Sequence, residues 1–166
     1  MSQQPQQRET IYLSAMHRAV LHGCCGVLFL SGAIWLAAHT WLVVAGEFGG
    51  SRHPLEHWSL QLHGAAAMVF LLTLGSLVRG HVRIGWKMQR SRPSGISLLI
   101  ASAVLIGSGW GLYYVGDETA RSWIAGVHQW LGLAGPLLVA FHIAGRRRAA
   151  RRRQQTLQPE PAARVA

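Results

Sequence analysis

Four long stretches without a charged residue constrain this chain more than any other feature. No Asp, Glu, Lys or Arg occurs in the segments 19–46, 57–78, 93–116 and 122–145. A helix needs about 20 apolar residues to cross the hydrocarbon core of a bilayer, and each segment is longer than that. The pattern therefore predicts an all-α fold, an integral membrane four-helix bundle with up-and-down order. The first stretch is too long for the apolar region of a cleaved signal peptide.

The domain organisation follows from the same pattern. Residues 11–146 are predicted to form one transmembrane domain, with spans at about 16–45, 58–81, 95–115 and 122–145. Residues 1–10 are polar and rich in Gln, and residues 147–166 are basic and then polar. Such segments cannot bury enough apolar surface to fold, so both ends are predicted to be disordered.

The net charge of +10 is distributed unevenly along the chain. Fourteen of the 16 Lys and Arg residues lie in the N-terminal segment, in residues 79–92 and from residue 146 onward. This is the positive-inside pattern of a multi-pass protein in a plasma membrane, with both termini and the middle loop in the cytoplasm. The RRRAARRR run at 146–153 therefore predicts contact with anionic membrane lipids, and the charge does not indicate a nucleic-acid partner.

The two cysteines, Cys24 and Cys25, are adjacent within the first predicted span. A disulfide between neighbouring cysteines is strained, so both are interpreted as small apolar packing residues. The chain contains no C-x-x-C-H motif, which excludes covalent attachment of a c-type haem.

Paired histidines are the main indication of function. His128 and His142 are separated by fourteen positions in the fourth span, so they share a face of the helix. At the rise of an α-helix their heights differ by about 21 Å. His63 and His81 are separated by eighteen positions in the second span, which corresponds to five helical turns. Polar groups within a bilayer are costly and tend to face the protein interior or a cofactor.

Two imidazoles at one depth form a bis-histidine site for haem iron. Because the second and fourth spans are predicted to run parallel, His63 matches His128 in depth, and His81 is the proposed partner of His142. His22 on the first span competes with His81, since it matches the depth of His142 better. A zinc site would require three or four ligands close together, so the pattern predicts two b-type haems instead.

The segments LQLHG at 60–64 and HQWLGLAGPLLVAFH at 128–142, with an arginine about four turns after the first, resemble the bacterial cytochrome b561-like group. That group includes the membrane b subunits of hydrogenases and formate dehydrogenases. The resemblance covers roughly residues 16–146 and omits both tails. The pair of histidines fourteen positions apart in the last span, His128 and His142, is its most specific feature.

The resemblance implies a diheme b-type cytochrome of the bacterial inner membrane. Such a protein moves electrons between quinol and a redox partner, such as a c-type cytochrome or an oxidoreductase subunit, and is an electron carrier more than a standalone enzyme. The ligands that it implies are His63, His128 and His142, with a fourth from the first helix, either His17 or His22.

Two other functions compete with electron transfer. A histidine-rich transporter of metal ions or protons predicts acidic residues within the spans. None of the four charge-free stretches contains one. A membrane anchor without haem leaves the paired histidines unexplained. His39, near the outer end of the first span, is interpreted as an interfacial residue or as a proton-handling group of a quinone pocket.

Overall fold

The computed structural model describes residues 15–46, 49–77 and 92–157. These residues form four helices and a two-stranded hairpin, namely α1 (Ala15–Trp41), β1 (Val43–Gly46), β2 (Gly49–Arg52), α2 (Pro54–Leu77), α3 (Arg92–Tyr114) and α4 (Glu118–Leu157). Each helix contains a segment long and apolar enough to cross a membrane. The predictions of an all-α fold and of four spanning helices are confirmed, and the chain is a multi-pass membrane protein.

The chain forms two compact units that divide after Arg90. In the first unit α1 packs against α2, and in the second α3 packs against α4. Large apolar side chains point outward, for example Leu72 and Phe141, which are 76% and 72% exposed. Small residues such as Ser31 and Ala38 lie inside and are each 1% exposed. This distribution suits a lipid environment, where helices associate through close packing of small residues.

A β-hairpin joins α1 to α2. The strands are antiparallel, with Val43 opposite Arg52 and Gly46 opposite Gly49. The β-branched Val43 and its neighbour Val44 favour extended backbone directly after the helix. As a result α1 ends at Trp41, before the predicted boundary at residue 45. The end of the first unit that carries these strands is called the hairpin end below.

Helix α2 begins at Pro54, four residues before the predicted start of the span at 58. Proline suits the first helical position because its missing N–H would have no partner there. His53 precedes it, and its Nδ1 accepts a hydrogen bond from the Leu55 amide at 3.2 Å. The earlier start places Glu56 in the first turn of a membrane-spanning helix.

Helix α4 begins at an aspartate cap and extends beyond its apolar segment. The Asp117 carboxylate accepts a hydrogen bond from the Ala120 amide at 2.7 Å. The helix continues past Gly145 to Leu157, through a segment for which the sequence predicts a disordered tail. Arg, Ala and Gln have high helix propensity and prolong a helix that the membrane segment has already nucleated. The disorder predicted for residues 1–10 concerns residues outside the described ranges.

Candidate cofactor site: histidines held by serine hydroxyls

His63 on α2 is held by a serine and a glycine of α1. The Ser31 hydroxyl oxygen lies 3.0 Å from His63 Nδ1. Ser31 is buried and His63 is half-buried. A methyl group added at the next residue, Gly32, would lie 3.4 Å from His63 Cε1. The imidazole therefore rests against the α1 backbone, at a position where a larger residue would press on the ring.

The proton positions follow from the partners of the Ser31 hydroxyl. Ser31 donates to the Val27 carbonyl at 2.6 Å, with the Leu28 carbonyl at 3.2 Å as a second acceptor. A hydroxyl has one proton to donate, so in the contact with His63 the Nδ1–H group donates to Oγ. This tautomer has its lone pair on Nε2, the nitrogen that ligates a metal when a protein group holds Nδ1.

The second unit contains two contacts of the same kind. Ser108 Oγ lies 2.9 Å from His128 Nδ1, and Ser94 Oγ lies 3.0 Å from His142 Nδ1. The two serines on α3 have the same spacing along the chain as the two histidines on α4, so one antiparallel register forms both contacts. At His128 the hydroxyl again has a carbonyl acceptor, since Ser108 Oγ lies 3.2 Å from the Leu105 oxygen.

A Ser-Gly dipeptide forms each of the three contacts. A methyl group at Gly109 would lie 3.3 Å from His128 Cε1, and one at Gly95 would lie 3.9 Å from His142 Cε1. The first distance is tighter than normal packing, and the second is an ordinary van der Waals contact. The glycine thus allows a close approach of ring and backbone at His128, and leaves more space at His142.

The chemistry of these side chains fits the axial ligands of haem. Haem iron takes one histidine on each face, and histidines that ligate a metal usually donate their other N–H to a fixed acceptor. Within the described residues no group of three or more His, Cys, Asp or Glu could hold a metal ion, as a zinc site would require. Single, oriented imidazoles such as His63, His128 and His142 are what haem needs.

The predicted ligands lie in different parts of the chain. His63 belongs to the first unit, whereas His128 and His142 belong to the second. His81, the predicted partner of His142, lies outside the described residues. The structure therefore brings each of three predicted ligands to a serine of its own helical pair.

The candidates on α1 are both exposed. His22 lies within the predicted span, and His17 lies near the end of α1 that is opposite the hairpin. His17 lines an open cavity of about 260 Å³, whose other lining residues are Met16, Val20, Leu72, Thr73 and Ser76. Helices α1 and α2 are antiparallel, with Ser31 opposite His63. His17 lies fourteen positions before Ser31, and Leu77 lies fourteen positions after His63. His17 is therefore at the same level as Leu77.

Glu56, in the first turn of α2, is a candidate functional residue that the pattern of charge-free stretches does not reveal. Its side chain is 8% exposed, and its Oε2 lies 3.1 Å from His39 Nδ1 and 3.8 Å from the Arg52 guanidinium. The His39 ring stacks on Trp35, with centroids 4.8 Å apart and planes 11° apart. The histidine-proline dipeptide before the second span was the available signal, because proline at the first helical position draws Glu56 into the helix.

Comparison with protein-family profiles, with curated protein sequences and with solved structures finds no match. The resemblance to the cytochrome b561-like group therefore rests on the segments around His63 and between His128 and His142. A function has to be argued from the geometry of the site, because a helical fold by itself is compatible with many activities.

Proposed function

We propose that this chain is a diheme b-type cytochrome that carries electrons across or within the bacterial inner membrane. The observation that carries the proposal is the repeated Ser-Gly contact with His63, His128 and His142. Each hydroxyl lies within hydrogen-bond distance of Nδ1, which supports Nε2 as the ligating nitrogen. Because the serine contact is at Nδ1 in all three histidines, we infer that Nε2 has the same role in each of them.

The residues of the chain hold and tune the cofactor. Bound haem supplies a one-electron Fe(III)/Fe(II) couple. Each serine hydroxyl orients the imidazole that it contacts, and at His63 and His128 the hydroxyl also has a carbonyl acceptor, which favours the tautomer with its proton on Nδ1. An acceptor at Nδ1 makes the ring a more basic ligand. The apolar helices exclude water, which lowers the local dielectric and so contributes to the reduction potential.

Two haems with two axial histidines each need four ligands. His63 is proposed to pair with His128, because the sequence sets them at matching depths. His142 is proposed to ligate the second haem. The candidates for its partner, the fourth ligand, are His81, His22 and His17.

The register of the first unit favours His17 among these candidates. His17 precedes Ser31 on α1 by the same number of positions that separates Ser94 from Ser108 on α3. Each helical pair then carries a histidine at each of two levels about 21 Å apart. Replacing His17, His22 and His81 by Ala, one at a time, tests which substitution removes a haem.

The orientation and partners are part of the proposal. The positive-inside distribution supports cytoplasmic termini, so the hairpin end would face the other side of the inner membrane. The arginines from Arg146 to Arg152 lie on the helical extension of α4 and would bind anionic lipid headgroups. Quinol, and a redox protein such as a c-type cytochrome or an oxidoreductase subunit, are the proposed exchange partners on the resemblance alone.

Proton transport is a second candidate function, and Glu56 favours it. Glu56 is a buried carboxylate in a spanning helix and is bonded to His39, and a cation carrier requires such an acidic residue. The described residues contain no cluster of three metal ligands, so this candidate would move protons and not metal ions. Haem content distinguishes the two functions, because a proton carrier needs none.

The test is a haem measurement on the purified protein. After purification in detergent, reduced-minus-oxidised absorption spectra are expected to show Soret and alpha bands, with two haems per chain. Absence of the bands would reject the cytochrome and leave the proton carrier. A stoichiometry of one haem per chain would reject the two-site arrangement.

A further inference from the structure

We propose that His39 and Glu56 form the proton-accepting part of a hydroquinone site at the hairpin end of the first helical pair. The proposal rests on the proposed function, because the electrons of the hydroquinone need the haem irons as acceptors. His39 lies in the last turn of α1 and Glu56 in the first turn of α2, so the pair bridges the two helices where they meet the hairpin.

The geometry is that of a general base with an orienting carboxylate. An ionised carboxylate only accepts hydrogen bonds, so the 3.1 Å contact has the His39 Nδ1–H group donating to Glu56 Oε2. The lone pair of the imidazole is then on Nε2, on the other side of the ring. Stacking on Trp35 fixes the ring plane. A base held through its far nitrogen by a third group is the arrangement that activates proton transfer in enzymes.

Exposure separates the two roles. The His39 side chain is 46% exposed, whereas that of Glu56 is 8% exposed. The imidazole can therefore meet a ligand arriving from outside the helical pair, and the carboxylate that orients it cannot. Apart from Glu56, no group of the described residues forms a hydrogen bond with His39. His39 is thus the candidate catalytic residue, and Glu56 is a positioning residue.

The other charged and titratable groups around His39 have partners of their own, so His39 Nε2 is the candidate proton acceptor. Arg52 on β2 lies 3.8 Å from Glu56 Oε2 and balances its charge. His53 accepts from a backbone amide in the first turn of α2. His57 bonds at 3.0 Å to a glutamine one turn further along the same helix. Both of these histidines are therefore engaged within α2 and its cap.

A purely structural link between α1 and α2 does not account for this pair. Burying a carboxylate in a membrane helix is costly, and a neutral hydrogen-bonded pair would join the helices at lower cost. Glu56 instead brings a charge to a buried position beside a half-exposed base. The orientation of a proton-accepting imidazole accounts for a buried charge at this position.

The substrate class follows from the location. The pair lies at the end of two spanning helices, where the exposed apolar side chain of Leu42 (43% exposed) follows His39 by one helical turn and the indole of Trp41 (78% exposed) lies at the same helix end. Exposed indole rings near a helix end are typical of the membrane–water interface. A lipid-soluble hydroquinone suits such a place, since its O–H group donates to an imidazole nitrogen while its ring and tail remain in apolar contact.

The oxidation balances with His39 as the proton acceptor and two haem irons as the electron acceptors. Oxidation of one hydroquinone to a quinone breaks two O–H bonds and releases two protons and two electrons. The protons pass in turn to His39 Nε2 and from there to water at the interface. The two electrons would reduce two haem irons from Fe(III) to Fe(II), one electron for each haem of the proposed pair.

The experiment compares three variants of the full chain in detergent with the wild type. H39Q removes the base, E56Q keeps a hydrogen-bond acceptor of the same shape without its charge, and H57Q is the control at the same end of the helices. Haem content and the dithionite-reduced spectrum report on the proposed function. The rate of haem reduction by decyl-hydroquinone is measured against pH, and the Kd of a redox-inert hydroxyquinoline is measured by calorimetry.

We expect wild type and H57Q to be reduced at the same rate, which rises with pH because the base must be neutral to accept a proton. H39Q should be about 100-fold slower with a flat pH profile, and E56Q should lie in between. Loss of one hydrogen bond should raise the Kd of the hydroxyquinoline about tenfold in H39Q.

The failures are distinguishable. Equal reduction rates and equal Kd values in H39Q and H57Q would overturn the hydroquinone site, and loss of haem from H39Q would do the same by making His39 part of the haem site. A wild type without haem would overturn the proposed function. In that case the Kd comparison between H39Q and H57Q still decides whether His39 receives the hydroxyl group of the ligand.

Discussion

The two helical pairs hold their histidines in different ways. In the second unit, α3 presents a serine to each of two histidines of α4, in a single register. In the first unit a serine holds His63, and the hairpin end joins His39 to the buried carboxylate of Glu56. A hydroxyl orients a neutral imidazole, whereas a carboxylate can also balance an imidazolium. The difference supports the proposals that the serine-held histidines are haem ligands and that His39 accepts protons.

The largest effect is expected from replacing the serine-held histidines. H63A, H128A and H142A should each lower the stoichiometry from two haems per chain to one, because each removes an axial ligand. H39A should retain both haems, since its partner is a carboxylate at the helix end. Pyridine haemochrome spectra of the purified variants measure the count, and equal haem loss in H39A and H63A would erase the distinction between the two kinds of histidine.

Replacing the serines tests whether their hydroxyls contribute equally to haem retention in the two helical pairs. S31A, S94A and S108A should each weaken haem retention by about 10- to 100-fold, since groups that orient a ligand have effects of this size. Ser97 on α3 is a matched control, because its hydroxyl is exposed and donates to the Pro93 carbonyl of its own helix. Haem transfer to an acceptor protein measures retention. If S97A loses haem as fast as S108A, the hydroxyls have no specific role.

The glycines rank the three contacts by how closely the ring approaches the backbone. G109A should destabilise the protein by about 1 kcal/mol relative to G126A, because the new methyl group crowds the imidazole. G32A should have a smaller effect, since its methyl group would lie 3.4 Å from His63, and G95A should be near neutral, since its methyl group would lie 3.9 Å from His142. Gly126 on α4 is the reference, as no group of the described residues beyond its own helical neighbours lies within 4 Å of a methyl group there. Unfolding midpoints followed by circular dichroism give the order, which a G95A loss equal to that of G109A would contradict.

The smallest effect concerns how the second helix of each pair begins. D117A should destabilise the chain by about 1 kcal/mol, because it removes the side-chain cap of α4. H53A should cost less, since its contact with the Leu55 amide is longer and Pro54 already has a dihedral angle suited to a helix start. Thermal unfolding of both variants measures the difference, and a larger loss in H53A would show that the caps are not ranked by hydrogen-bond strength.

Much of the fold could be read from the sequence, because membrane insertion depends on local composition. The charge-free stretches predicted all four spanning helices, and the spacing of His128 and His142 identified them as a pair on one face. The boundaries were less accurate. Proline at position 54 started α2 early, and the arginine-rich segment after Gly145 extended α4, since local helix preference in these places outweighs polarity.

The sequence by itself determined the number of spans and the residues with ligand chemistry, because both depend on residue type and on spacing along one helix. Only the tertiary structure decided that Ser31, Ser94 and Ser108 meet histidines, and that Glu56 meets His39. Those contacts depend on the register between two helices, to which many weak packing interactions contribute. A Ser-Gly dipeptide on α3 has no recognisable role in the sequence alone, because its contact with a histidine depends on how α4 packs against α3.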